Sequence, residues 1–147
     1  MGFSVTALPT SKLYISEVLR DSGVTCLQEI KFASREQLFM YLQCRHFRSL
    51  FGNQFGEKDF DLSLATSKIS LYKIFDGLFY DGITLGRVTS MYVYGGLLAL
   101  QLYKTYSFRE MHSLVSDWID EYISAYLKQR LVMQDRWKYY APLFHLE

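Results

Sequence analysis

The run from Asp81 to Leu100, DGITLGRVTSMYVYGGLLAL, constrains this chain more than any other stretch. Asp81-Gly82 breaks whatever comes before it, and Thr84 then stands where an N-cap would open a new helix. From Val88 onward the residues are apolar on nearly every face. A helix that is apolar all round cannot lie on a surface, so it must be wrapped by other helices or by lipid. Val88 to Tyr103 holds Thr89, Ser90, Gly95-Gly96 and Gln101, and falls short of the ~20 apolar residues a bilayer span needs. The run is therefore expected to be the central helix of a soluble bundle, with no integral membrane anchor.

The length of 147 residues suits one domain, 1–147, able to bury about two-thirds of its unfolded surface. Aromatic residues make up 17% of the chain, so the interior is expected to be large-ringed. The net charge of +1, with neither sign concentrated, argues against a nucleic-acid partner, which would call for a basic face. Cys26 and Cys44 are too few for a zinc site or a disulfide scaffold and read as reduced, buried thiols. The N-terminus lacks the charged region and long apolar core of a signal peptide.

Taken in order, Leu13, Tyr14, Ile15, Val18 and Leu19 make a short helix stopped at Gly23. Ser34 and Gln37 form a capping box for a second helix, with Leu38, Tyr41 and Leu42 on one side and Met40, Cys44, Phe47 and Phe51 on another. A short turn or helix is expected over Glu57 to Leu64. Leu71, Ile74, Phe75, Leu78 and Phe79 recur at helical spacing behind a cap at Thr66 or Ser67. A second capping box at Ser107 to Glu110 precedes the clearest amphipathic stripe, running from Met111 through Leu114, Trp118 and Tyr122 to Tyr126. A last short helix is expected from Asp135, with Pro142 tolerated near its end. No run alternates with the period of a strand. The expectation is an all-α bundle of seven to eight helices around one buried helix.

Nothing in the pattern supports catalysis. His46, His112 and His145 have no metal-ligating spacing, no glycine loop cradles a phosphate, and the carboxylates spread over solvated faces. No enzyme activity, cofactor or metal is expected. One juxtaposition stands out. Gly86 lies on the first turn of the buried helix, where its missing side chain would let another backbone approach. Arg87 beside it is a cation at a helix N-terminus, which the helix dipole disfavours. Either Arg87 pairs with Asp81 or Asp76, or it is the charged anchor of a binding groove.

The segment FDGLFYDGITLGRVTSMYVYGGLLAL resembles the first homology motif of the Bcl-2 family of apoptosis regulators. Leu78-Phe79 and Asp81-Gly82 match its opening, Gly86-Arg87 its core and Gly95-Gly96 its close. DWIDEYISAYLKQRL resembles the helix before the second motif, and Asp135-Arg136-Trp137 with Leu143-Phe144 that motif's short helix. There are departures: Thr84 and Leu85 replace the family's Asn and Trp, the Gly-Gly before Trp137 is missing, and no third motif, Leu-x-x-x-Gly-Asp, occurs. The end at Glu147 without a hydrophobic tail is similar to the divergent copies carried by large DNA viruses.

The resemblance implies a pro-survival viral protein of the host cytoplasm, peripheral at mitochondria, that holds the amphipathic death-motif helix of Bim, Bak or Bax in a hydrophobic groove. The implied groove comprises Tyr41, Cys44, Phe47, Leu71, Ile74, Phe75, Thr84, Val88 and Met91, with Gly86 as the notch and Arg87 as the anchor, its side chain pointing out of the bundle. Two other readings stay open. One is a homodimerising helical module with an occluded groove, and the other is a membrane-active pore former.

Overall fold

Local chemistry sets where the helices of the computed structural model begin and end; residues 8–24, 30–51, 68–106 and 111–146 are described. Helix α1 (Thr10–Asp21) closes on Gly23, whose φ of +93° carries no side-chain penalty. The Gly23 N–H donates to the Arg20 carbonyl and the Val24 N–H to the Leu19 carbonyl, each at 3.0 Å, which satisfies two acceptors the helix end would orphan. Helix α2 (Arg35–Phe51) opens on Ser34, whose Oγ accepts from the Gln37 N–H at 3.1 Å. The Gln37 amide reaches further than a closed capping box would. It accepts from the Ala33 N–H at 2.8 Å and donates to the Leu8 carbonyl at 2.7 Å. Those bonds tie the lead-in of α1 to the start of α2 and let a glutamine be fully buried.

Helix α3 (Lys68–Leu78) is followed by the central helix α4 (Leu85–Tyr106). Beyond it, α5 (Met111–Tyr122), a π turn (Ile123–Leu127) and α6 (Lys128–Met133) run on as one continuous rod, and α7 (Trp137–Phe144) closes the chain. The described residues thus form six helical rods and no strand, an all-α architecture. The helix expected over 57–64, the cap at Thr66 or Ser67, the capping box at Ser107 and Cys26 lie outside the described residues.

The last helix starts later than its sequence suggests, because Asp135 takes a left-handed φ of +55°. It serves as the turn residue of a helix stop. Its N–H donates to the Val132 carbonyl at 3.0 Å and the Arg136 N–H to the Leu131 carbonyl at 2.7 Å. Asp135 thus holds the backbone conformation that a glycine would adopt most easily.

The central helix is wrapped by α1, α2, α3 and α5, as its all-round apolarity demands. Its Val88, Met91, Tyr92, Val93, Leu98 and Ala99 are buried. Close approach depends on Gly95 and Gly96: a Cβ at Gly95 would overlap Ile119 Cδ1 of α5, and one at Gly96 would stand 2.8 Å from Tyr14 Cε2 of α1. The helix has 22 residues, longer than the apolar stretch read from the sequence. None of the described helices is long and apolar enough to cross a membrane. In α4 polarity is the reason, through Arg87, Thr89, Ser90, Gln101 and Lys104, and not shortness. On α5 Trp118 is only partly buried; the ring at the centre of the packing is Tyr122, 2% exposed.

Candidate functional site

The outward face of α4 carries a narrow strip made by Gly86 and, one turn on, Ser90. Thr84 caps the helix, its Oγ1 accepting from the Arg87 N–H at 3.2 Å. The Ser90 hydroxyl turns inward and donates to the Gly86 carbonyl at 2.9 Å, so the strip stays flat and low. Gly86 is exposed, and a Cβ built there would meet nothing within 4 Å.

Two apolar hollows flank the strip. The first, of about 240 Å³, lies between α2 and α4 and is lined by Gln43, His46, Phe47, Leu50, Phe51, Leu85, Gly86 and Thr89. The second, of about 180 Å³, lies between α3 and α4 and is lined by Ile74, Phe75, Leu78, Ser90 and Tyr94. Each is smaller than the ~300–1,000 Å³ typical of a small-molecule site, and each suits single apolar side chains of a partner. Large apolar side chains stand open on both walls: Leu50 is 58% exposed, Phe51 40% and Ile74 43%. Among the described residues no three His, Cys, Asp or Glu side chains gather as a metal site.

The sequence-derived site residues divide between these surfaces and the interior. Gly86 and Phe47 line the first hollow, Ile74 and Phe75 the second. Leu71, Val88, Met91 and Cys44 are 0% exposed and belong to the core, so they support the walls from within. Burial raises the Cys44 thiol well above its ordinary pKa. Tyr41 is 6% exposed, its ring packs edge-on to Phe32 at 4.8 Å, and burial together with the neighbouring Glu17 of α1 pushes its hydroxyl up to about 12. It faces α1 and not a hollow.

Arg87 departs from its expected outward pose. Its guanidinium folds back, and Nη1 donates to the Gly82 carbonyl at 2.9 Å. No ion pair with Asp81 or Asp76 forms; Asp76 instead accepts the Tyr122 hydroxyl at 2.8 Å. The turn carbonyl offsets the poor placement of a cation at a helix N-terminus. The remaining guanidinium N–H groups are left to other acceptors.

Several lining residues escaped the sequence reading. Ser90 and Tyr94 follow Gly86 at i+4 and i+8, and Leu50 and Phe51 follow Phe47 at i+3 and i+4. Helical spacing from the two anchors would have found them. His46 is exposed and also lines the first hollow.

The α3 wall lies along the α5–α6 rod. Tyr122 is its hub, with ring centroids 5.1 Å from Tyr72 and 5.2 Å from Phe75. A 3.0 Å ion pair between Lys68 and Glu121 secures the start of α3. Compared with known proteins, the chain matches no protein-family model and no curated protein.

Proposed function

We propose that this chain is a Bcl-2-like pro-survival protein, of the kind large DNA viruses carry, that sequesters the death-motif helix of pro-apoptotic proteins such as Bim, Bak or Bax. It would act in the host cytoplasm and at the mitochondrial surface. The observation that carries the reading is the bare Gly86–Ser90 strip on a central helix, with an apolar hollow on either side. An amphipathic helix laid on that strip buries its apolar side chains in both hollows, and no side chain of Gly86 holds its backbone off. Arg87 then exchanges or shares its Gly82 carbonyl for a carboxylate of the partner, a charge-assisted contact.

The test is a titration of the purified chain with death-motif peptides. Arg87→Glu sets like charges together and should weaken binding by about tenfold to a few hundredfold, or ~1.5–3 kcal/mol. Gly86→Glu fills the strip and should abolish binding, while circular dichroism shows both variants folded. Two folded variants that bind like the wild type place the groove elsewhere and sink the assignment. A second reading, self-association through the same face, is supported by the exposed Phe39, Leu42 and Leu50 of α2. A dimeric mass in sedimentation, lost on adding peptide, would favour it.

A further inference from the structure

Three guanidinium groups converge on one turn. The segment from Phe79 to Thr84 runs from the C-terminal end of α3, where a helix leaves acceptors without intrahelical partners, to the start of the central helix, and within it the Phe79 carbonyl accepts the Gly82 N–H at 3.2 Å. Arg130 Nη1 donates to the Phe79 carbonyl at 2.8 Å, and Arg136 Nη2 to the Ile83 carbonyl at 2.9 Å. Arg87 holds the Gly82 carbonyl between them. Two of the three come from the far end of the chain, from α6 and the turn after it.

Their placement depends on the π turn. Tyr122 reaches α3 through its ring, and Arg130 reaches the Phe79 carbonyl that directly follows α3. They are eight positions apart, and in an unbroken α-helix such a separation leaves the second side chain about 80° off the face of the first. The π turn, with the Lys128 N–H bonded back to the Ile123 carbonyl, absorbs one extra residue. Eight positions then behave like seven, which brings Arg130 to within about 20° of the Tyr122 face. The turn after α6 is equally specified: the left-handed Asp135 aims Arg136, whose Nη2 also meets the Tyr140 hydroxyl at 2.8 Å. The rod and the turn that ends it thus deliver the two arginines to carbonyls 51 and 53 residues away in sequence.

We propose that Arg130 and Arg136 are positioning residues for the α3 wall. By clamping the Phe79 and Ile83 carbonyls they fix α3 against α4, and they set the width of the second hollow from outside it. The part concerning ligand affinity rests on the function proposed above; the part concerning the wall does not.

The experiment compares the full-length wild type with the double variant Arg130→Gln/Arg136→Gln. Three readouts are amide hydrogen exchange, the Ile74 methyl resonance and death-motif peptide affinity. The Phe79 and Gly82 amides should exchange at least tenfold faster, the α1 amides from Leu13 to Leu19 should change less than twofold, and the Ile74 methyl should shift. Peptide affinity should fall about tenfold through a faster off-rate. Arg130→Lys, which keeps the charge and more of the reach to that carbonyl than glutamine does, should recover part of the protection.

Unchanged exchange at Phe79 and Gly82 overturns the clamp, and so does an equal rise along the whole chain, since that marks ordinary stabilisation. Local loosening with unchanged affinity in a peptide-binding wild type overturns the link to the groove. A wild type that binds no peptide sinks the proposed function, while exchange and the Ile74 methyl still decide the clamp.

Discussion

Alanine at Gly96 tests how α1 sits on the central helix, and alanine at Gly86 supplies the reference. A Cβ at Gly96 would stand 2.8 Å from Tyr14 Cε2 and 3.0 Å from Val18 Cγ2. Carbon atoms rest at about 3.5–4.0 Å, so the ring edge must retreat by roughly 0.7 Å. Tyr14 is 0% exposed, and it can yield only by shifting α1 or opening the core. Overpacking of this kind costs about 1–3 kcal/mol. Against it stands the better helix propensity of alanine, worth about 1 kcal/mol. Gly96→Ala should therefore destabilise by up to about 2 kcal/mol. At Gly86 the added carbon meets nothing within 4 Å, and only the propensity gain remains. Gly86→Ala should stabilise by about 0.5–1 kcal/mol. At ~2–4 °C per kcal/mol for a chain of this size, the two melting midpoints should lie about 1–12 °C apart. Urea and thermal unfolding followed by circular dichroism measure this directly. Equal stabilisation by both substitutions would show that α1 is not seated on Gly96 and would refute the reasoning.

Other outcomes follow from single residues. Asp135→Gly should stabilise by about 1 kcal/mol in urea unfolding, because a left-handed residue loses its side-chain clash; the exposed pair with Lys138, at 3.6 Å, has little to lose. Burial raises the Asp120 carboxyl to about 7, the Ser11 hydroxyl at 2.6 Å and Lys12 opposing the rise and Asp117 adding to it. The folded chain therefore holds this proton more tightly than the unfolded one, so the group's contribution falls as pH climbs from about 4 to 7 and is flat above. Asp120→Asn should remove that slope, gaining on the order of 2–4 kcal/mol over wild type at pH 7.5 relative to pH 4.5, as measured by unfolding at both pH values. Tyr122→Ala, which empties the hub against α3, should cost about 3–5 kcal/mol, and Trp118→Ala distinctly less because that ring is partly exposed.

Much of the candidate site was visible in the sequence as isolated anchors. Gly86, Thr84 and Phe47 were legible because each is a local statement, about a missing side chain, a cap or a helical repeat. The rest of the lining was not. On α2 the apolar residues cover more than one face, so the pattern could not say that Met40, Tyr41 and Cys44 turn inward while Leu38 and Leu42 stay exposed. Arg87 was equally open. Its charge and position were evident, but the carbonyl it meets belongs to a turn whose shape depends on distant arginines.

What the sequence determined by itself is short-range. The stop at Gly23 and the caps at Ser34 and Thr84 follow from groups within four residues of one another, and the burial of the central helix from one continuous apolar run. The tertiary structure decided whatever couples segments far apart. Asp135 takes a left-handed φ where a glycine would be the easy choice, since the Leu131 and Val132 carbonyls need donors there. The π turn appears where α5 passes α3, and it brings Arg130 to the Phe79 carbonyl. No local preference favours either feature. Each costs a little in its own segment and is offset by hydrogen bonds and packing that exist only once the helices have met.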